Sequence, residues 1–253
     1  MHKIEEILAF FSIKYLGDFQ LIYNALDKQE TVDQEEFDLL MKTNQAKYTT
    51  IVSDDYPESL KFIKYPPFVL FYYGNLKLLD EKCIGVIGMR VPSEYGKSIT
   101  NRLVKNLIYE NYTIVSGMAL GIDAIAHRTS LNNFGKTVAI LGSGIDYCYP
   151  KRNRDIYESM KDNHLIISEY PGSTVPQKDN FPKRNRIIAG LCSSLLVCEA
   201  RERSGTMITV GHALEQGKDI FAVPSNIDEN IGCNILIQQG AKLVNCVQDI
   251  FDG

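Results

Sequence analysis

The segment Lys178-Asp179-Asn180-Phe181-Pro182-Lys183-Arg184-Asn185-Arg186 places four cations, Lys178, Lys183, Arg184 and Arg186, within nine residues and beside an aromatic ring. Lysine and arginine hold phosphates, and a phenyl ring stacks on a nucleobase whatever its identity. Pro182 suits a first helical turn, which places Lys183 and Arg184 near the positive end of the helix dipole. A basic cluster alone is more often a solvated helix start than a binding site. Asn185 and Arg186 fit a structural role, pinning neighbouring loops, as well as a ligand role.

Other chemistry-bearing residues follow short apolar runs. Gly88-Met89-Arg90 leaves an arginine after Cys83–Gly88. Ser116-Gly117-Met118-Ala119-Leu120-Gly121-Ile122-Asp123 follows the next run, and Gly142-Ser143-Gly144-Ile145-Asp146 the one after that. Small residues let a backbone approach a ligand, and a following helix offers free N–H groups to an anion. Glycines serve tight turns equally well at any single loop. Three such loops on one edge point to a phosphate-bearing ligand. Ser204, Gly205 and Thr206 follow a further run and fit either a phosphate contact or simple N-capping, which is the commoner use.

The elements that must position these residues are legible as a pattern. Residues 1–45 carry apolar positions at helical spacing (Ile4, Ile7, Leu8, Phe11, Ile22 and Leu26) and predict a small helical domain. Residues 46–80 read as an extended connector packing on the core. There, Pro66-Pro67 excludes helix, Phe68–Gly74 reads as an edge strand, and a linker follows near 75–81. From residue 81 to 253, apolar runs at 83–88, 112–116, 137–141, 165–168, 195–198 and 219–223 alternate with helical stretches. That alternation predicts an α/β, Rossmann-like, doubly wound and mostly parallel sheet. Ligands of such sheets bind beyond the carboxyl ends of the strands, where the residues above should lie.

Composition narrows the function classes. The chain has 253 residues and a formal net charge of -4. Residues 1–80 carry 8 Lys/Arg against 13 Asp/Glu, whereas residues 81–253 carry 19 against 18. The first segment should repel nucleic acid, so a site for a polyanion must be a local patch in the second. The six cysteines form no Cys-x-x-Cys pair and do not pair with histidines at zinc spacing, so neither a metal nor a cofactor is expected. His127 and His212 sit within helical patterns and read as structural. The acidic N-terminus is unlike a secretory or transit peptide, and no apolar run reaches membrane-spanning length; the expectation is a cytoplasmic protein with reduced thiols. The dinucleotide fingerprint and the phosphate-loop glycine-lysine-Ser/Thr motif are both missing. Ser143 resembles a loose nucleophile elbow, but the pattern places no base beside it.

Longer motifs carry a family resemblance. Ser116-Gly117-Met118-Ala119-Leu120-Gly121-Ile122-Asp123-Ala124-Ile125-Ala126-His127 is similar to the S-G-x-A-x-G-I-D-x-x-A-H segment of the DprA/Smf family. Ala139–Asp146 with Tyr149-Pro150, Ser168-Glu169-Tyr170-Pro171, Phe181–Ile188, Ser204-Gly205-Thr206 and Phe221-Ala222-Val223-Pro224 follow in the family's order. Asp55-Tyr56-Pro57 and Pro66-Pro67 match upstream, so the resemblance covers about residues 48–250. It implies a Rossmann-like domain without nucleotide chemistry. Such a protein binds single-stranded DNA, protects incoming strands in natural transformation and loads a RecA-type recombinase through its large domain. It also implies a homodimer. The family's G-S-R arginine falls on Arg90, and its basic F-P-x-R-N-R region on Phe181–Arg186.

The expected DNA contacts are therefore Gly88 and Arg90, Ser116 and Gly117, Gly142, Lys178 and Phe181, Lys183 to Arg186, and Ser204, Gly205 and Thr206. Two departures from the pattern stand out. Met89 replaces the serine of G-S-R, which removes a hydroxyl. The sequence also ends at Gly253 without the winged-helix-like C-terminal domain of some members, so no duplex-binding role from that domain is expected. Of the apolar residues between 205 and 253 (Ile235, Leu236, Ile237, Leu243, Val244, Val247, Ile250 and Phe251), some must close the sheet, the commoner use of each, and an exposed remainder is the candidate dimer surface. The competing readings are a nucleotide-processing enzyme and a nucleotide sensor of the Rossmann-like phosphoribohydrolase type. The enzyme needs a glutamate where Thr209 stands.

Overall fold

The computed structural model describes residues 2–251. Three helices come first: α1 (Ile4–Lys14), α2 (Phe19–Asp27) and α3 (Gln34–Thr43). Asp18 and Asp33 start α2 and α3 by accepting the N–H of Leu21 at 3.0 Å and of Glu36 at 2.9 Å. Phe10, Phe11, Ile22, Ala25 and Phe37 form the helices' own small core. Leu8 and Ile13 of α1 pack instead with Val69 and Phe71, so the helical unit leans directly on the sheet.

The chain continues through β1 (Lys47–Thr50), α4 (Glu58–Lys61), β2 (Val69–Gly74), β3 (Cys83–Gly88), α5 (Glu94–Tyr109), β4 (Thr113–Ser116), α6 (Ile122–Asn132) and β5 (Thr137–Leu141). Then come α7 (Arg154–Met160), β6 (Leu165–Ser168), α8 (Asn180–Leu191), β7 (Ser194–Glu199), α9 (Gly205–Glu215), β8 (Asp219–Ala222), α10 (Gly232–Gln238), β9 (Lys242–Leu243) and α11 (Gln248–Phe251). One nine-stranded sheet results, ordered β1-β2-β6-β5-β4-β3-β7-β8-β9. From β6 to β9 every pairing is parallel, while β1 and β2 join antiparallel.

Strand side chains alternate between the two helix-covered faces. Cys83 and Ile87 of β3, with Leu195 and Val197 of β7, face Ile187 and Ile188 of α8 and Val210 of α9. Ile84 and Val86, with Leu196 and Cys198, face Leu103 and Leu107 of α5 and Ile122 of α6. Both faces being covered explains the continuously apolar runs.

Two expectations need correction. Residues 69–74 are not an edge strand: Phe71 of β2 pairs with Tyr48 of β1 on one side and Ser168 of β6 on the other. Pro66 and Pro67 precede the ladder, so no ladder N–H is lost. Residues 75–81 are not a free linker, because Leu76–Asp80 forms a 3-10 turn that buries Leu78. Among the dimer candidates, Leu236, Val244, Val247 and Ile250 are buried in the core, and Phe251 stacks on Tyr112 at 5.6 Å. Leu243 on β9, with Ile227 and Ile231 nearby in sequence, is left exposed.

Candidate nucleic-acid interface

Strand order reverses between β3 and β7. From β3 the chain winds through β4 and β5 to β6, then returns to β7 beside β3 and winds the other way. Loops leaving β3 and β7 therefore diverge and open a crevice at the carboxyl edge. A cleft of about 720 Å³ lies there, lined by both loops and by the first turns of α8 and α9.

Arg90 is exposed at the rim and lies over the Phe181 ring, 5.9 Å from its centroid. Tyr149 packs beside Phe181 with ring centroids 5.5 Å apart. Gly142 seats this ring: a Cβ there would stand 2.7 Å from Phe181 Cδ1. Lys178 is exposed on the same cleft, as are Arg201 and Arg203. The last two belong to the run after β7, where sequence reasoning singled out only the small Ser204-Gly205-Thr206. Their position after a strand end, on the same edge as Arg90, was the available signal. Gly88, Ser204, Gly205 and Thr206 line the same cleft. Ser204 donates to Arg201 O at 3.0 Å instead of capping α9, and no atom stands within 4 Å of where a Gly205 Cβ would lie. Met89 is buried in the wall, its N–H bonded to Glu199 O at 3.0 Å.

Other expected contacts turn inward. Ser116 is buried and donates to Val86 O at 2.7 Å, so its hydroxyl is not available to a ligand. Gly117 makes room for protein, not ligand: a Cβ would stand 2.6 Å from the Arg184 guanidinium. Arg184 is buried and donates to Gly117 O at 2.6 Å and to Ile140 O, tying the ends of β4 and β5 together. Burial pushes its pKa down to about 10, against the charge of Asp123. Asp123, also buried, accepts from the N–H groups of Gly117 and Ala119 at 3.1 and 3.2 Å. Burial pushes its carboxyl up, while Arg184 and these donors pull it down. Asn185 accepts from Arg184 Nε at 3.2 Å on the cleft wall.

Arg186 is spent on structure. It forms a two-pronged pair with Glu169 at 2.6 and 3.0 Å and donates to Tyr65 O at 2.9 Å. It lines a second cleft behind α8, and so does the exposed Lys183. Neither lines the first cleft, because successive residues of a helix project about 100° apart.

The first cleft combines exposed cations with two aromatic rings. Arg90, Lys178, Arg201 and Arg203 face solvent, and its one carboxylate, Asp123, is engaged by the wall. Thr209 lines it and brings no carboxylate to it. His127 is buried away from it, with its pKa lowered to about 3 by desolvation first and by His164 and Arg184 next. Burial pushes the thiols of Cys83, Cys198 and Cys233 up to about 12, far from thiolate reactivity at neutral pH. Among the described residues, no group of three His, Cys, Asp or Glu is placed to hold a metal. No helix among them is long and apolar enough to cross a membrane.

Comparison with known proteins places this geometry in context. The family of DNA recombination-mediator protein A matches residues 47–253. DNA processing protein DprA of Streptococcus pneumoniae is 45% identical over 203 residues, which span 79% of this chain and 72% of that protein. The DprA of Bacillus subtilis is 43% identical over 205 residues, 80% of this chain and 69% of the relative. The solved structure of the S. pneumoniae protein superposes with a TM-score of 0.86 at 35% identity, covering 100% of this chain and 98% of that one. DprA of Helicobacter pylori, described for its single-stranded DNA binding mode, superposes with a TM-score of 0.75 at 31% identity, covering 82% and 95%.

Proposed function

The chain belongs to the DNA recombination-mediator protein A family, and from that premise we propose that its first cleft binds single-stranded DNA without turnover. One observation carries the reading: four solvent-facing cations share one cleft with the Phe181–Tyr149 pair at the topological switch point of a chain whose net charge is -4. Arginine and lysine take the phosphates, and the ring pair takes a base by stacking, which every base permits. The H. pylori relative's described binding mode supports it.

On this reading the protein guards incoming strands in natural transformation in the cytoplasm and hands them to a RecA-type recombinase as a homodimer. Exposed Leu243 on the open β9 edge offers the apolar part of a self-complementary contact. An enzyme acting on nucleotides would need a free acid or base, and the cleft's carboxylate is held by two N–H groups.

Fluorescence anisotropy with labelled oligothymidylate is the test. Arg90→Ala and Lys178→Ala should each raise Kd, and mononucleotides should not compete at millimolar concentration. Full competition by a mononucleotide, or its hydrolysis, would favour the nucleotide readings instead.

A further inference from the structure

We infer that bound single-stranded DNA does not end in the first cleft but crosses the start of α8 into the second, where Phe62 and Tyr65 stack further bases. This inference rests on the first cleft being the DNA site. The second cleft, about 960 Å³, lies between the start of α2, the 59–65 segment, and α8 with α9. Residues 177–183 form the ridge between the two. Lys178 and Phe181 face the first cleft, Gln177, Asn180 and Lys183 face the second, and Pro182 borders both.

The far side carries the same residue types as the near side. Phe62 is 82% exposed and Tyr65 53%, unusual for aromatic side chains. Lys64 is exposed with its Nζ 5.4 Å from the Tyr65 ring centroid, and Lys183 and Lys218 line the same space. Acidic neighbours are largely spoken for: Glu169 is paired with Arg186, and Asp18 caps α2, leaving Glu215 beside His212. Tyr65 is held at φ +57, a conformation uncommon for a bulky residue, and its carbonyl accepts from Arg186. The buried Arg186–Glu169 pair thus fixes the backbone that presents the ring, with Phe19 edge-on to it at 5.2 Å. Aromatic faces interleaved with lysines suit a flexible polyanion whose bases are unpaired.

The experiment measures affinity for oligothymidylates from about 4 to about 20 nucleotides, the range of single-strand site sizes. Phe62→Ala/Lys64→Ala should bind the short strands like the unmodified protein and lose about tenfold on the long ones. Arg90→Ala should lose on both. An iodouracil placed beyond the first few nucleotides should crosslink to residues 62–65. Unchanged long-strand affinity in the double variant, with Arg90→Ala still weakened, would overturn the extension and leave the first cleft standing. Unchanged affinity in Arg90→Ala for every length would overturn the first cleft itself. A double variant that keeps long-strand affinity but becomes smaller by light scattering would assign the second cleft to another copy of the chain and sink the inference. Both substitutions are at exposed positions, and an unchanged melting temperature verifies folding.

Discussion

Lys183, Arg184 and Arg186 lie within four residues of one another, and the fold uses each differently: exposed in the second cleft, buried in the wall of the first, and buried in an ion pair. Two outcomes separate wall from rim. Arg90→Ala, or Arg201→Ala/Arg203→Ala, should weaken single-strand binding by about tenfold per lost charge-assisted contact and change stability by no more than about 0.5 kcal/mol each. Arg184→Ala removes the donor to Gly117 O and Ile140 O and the charge that offsets buried Asp123, and should cost about 3–5 kcal/mol of stability, read as a lower urea midpoint. Rim substitutions that unfold the protein, or an Arg184→Ala protein as stable as the original, would reverse the assignment. The basic segment was legible as a cluster of cations, yet its division was not. Which face of α8 each cation takes depends on where Glu169, just after β6, and Asp123, on α6, come to lie, and single-sequence spacing carries no such information. Arg201 and Arg203 went unread because Ser204-Gly205-Thr206 offered a stronger local pattern.

Elements were more legible than contacts. The runs ending at Gly88, Ser116, Leu141 and Ser168 became β3 to β6, because strands covered on both faces must be apolar throughout. Residues 46–80 were less legible. Their second strand, β2, pairs antiparallel with β6, which lies about a hundred residues away in sequence, and no local signal announces that. Helix α6 offers a test of how tightly the layers lock. His127 on α6 shares a 2.7 Å bond with Thr137 of β5, whose hydroxyl donates to Ile114 O at 2.8 Å. The Thr137 oxygen must then accept from His127 Nδ1–H, which leaves Nε2 neutral, buried and without a partner. A histidine titrates near 6.5 when unfolded, against about 3 here. The unfolded chain therefore takes up the proton first. Stability is fully present above about pH 6.5 and lost as pH falls toward 3, at up to about 1.4 kcal/mol per unit. Burial lowers the His164 pKa too, adding in the same direction. Urea midpoints should fall between pH 7 and 5, with a shallower fall in His127→Gln. A midpoint flat over that range would contradict the burial.

At the scale of the whole molecule, an acidic chain presents a basic crevice, with acid concentrated in its first 80 residues and cations gathered at one sheet edge. Long-range attraction is weak in such a molecule, so affinity should come from contacts inside the cleft. Avidity is the second whole-molecule effect. A homodimer placing two clefts on one strand would gain affinity on long strands through effective concentration alone. Leu243→Glu on the β9 edge should give a monomer by light scattering and weaken binding to long strands more than to short ones. A Leu243→Glu protein that remains dimeric would move the contact elsewhere. The most direct test of the central claim is one titration: Kd for a single strand and for the duplex of equal length, measured across salt. Four neutralised phosphates predict tight single-strand binding, a slope of log affinity against log salt of about -3, and much weaker duplex binding. Equal affinity for both forms, or a salt-independent Kd, would contradict it.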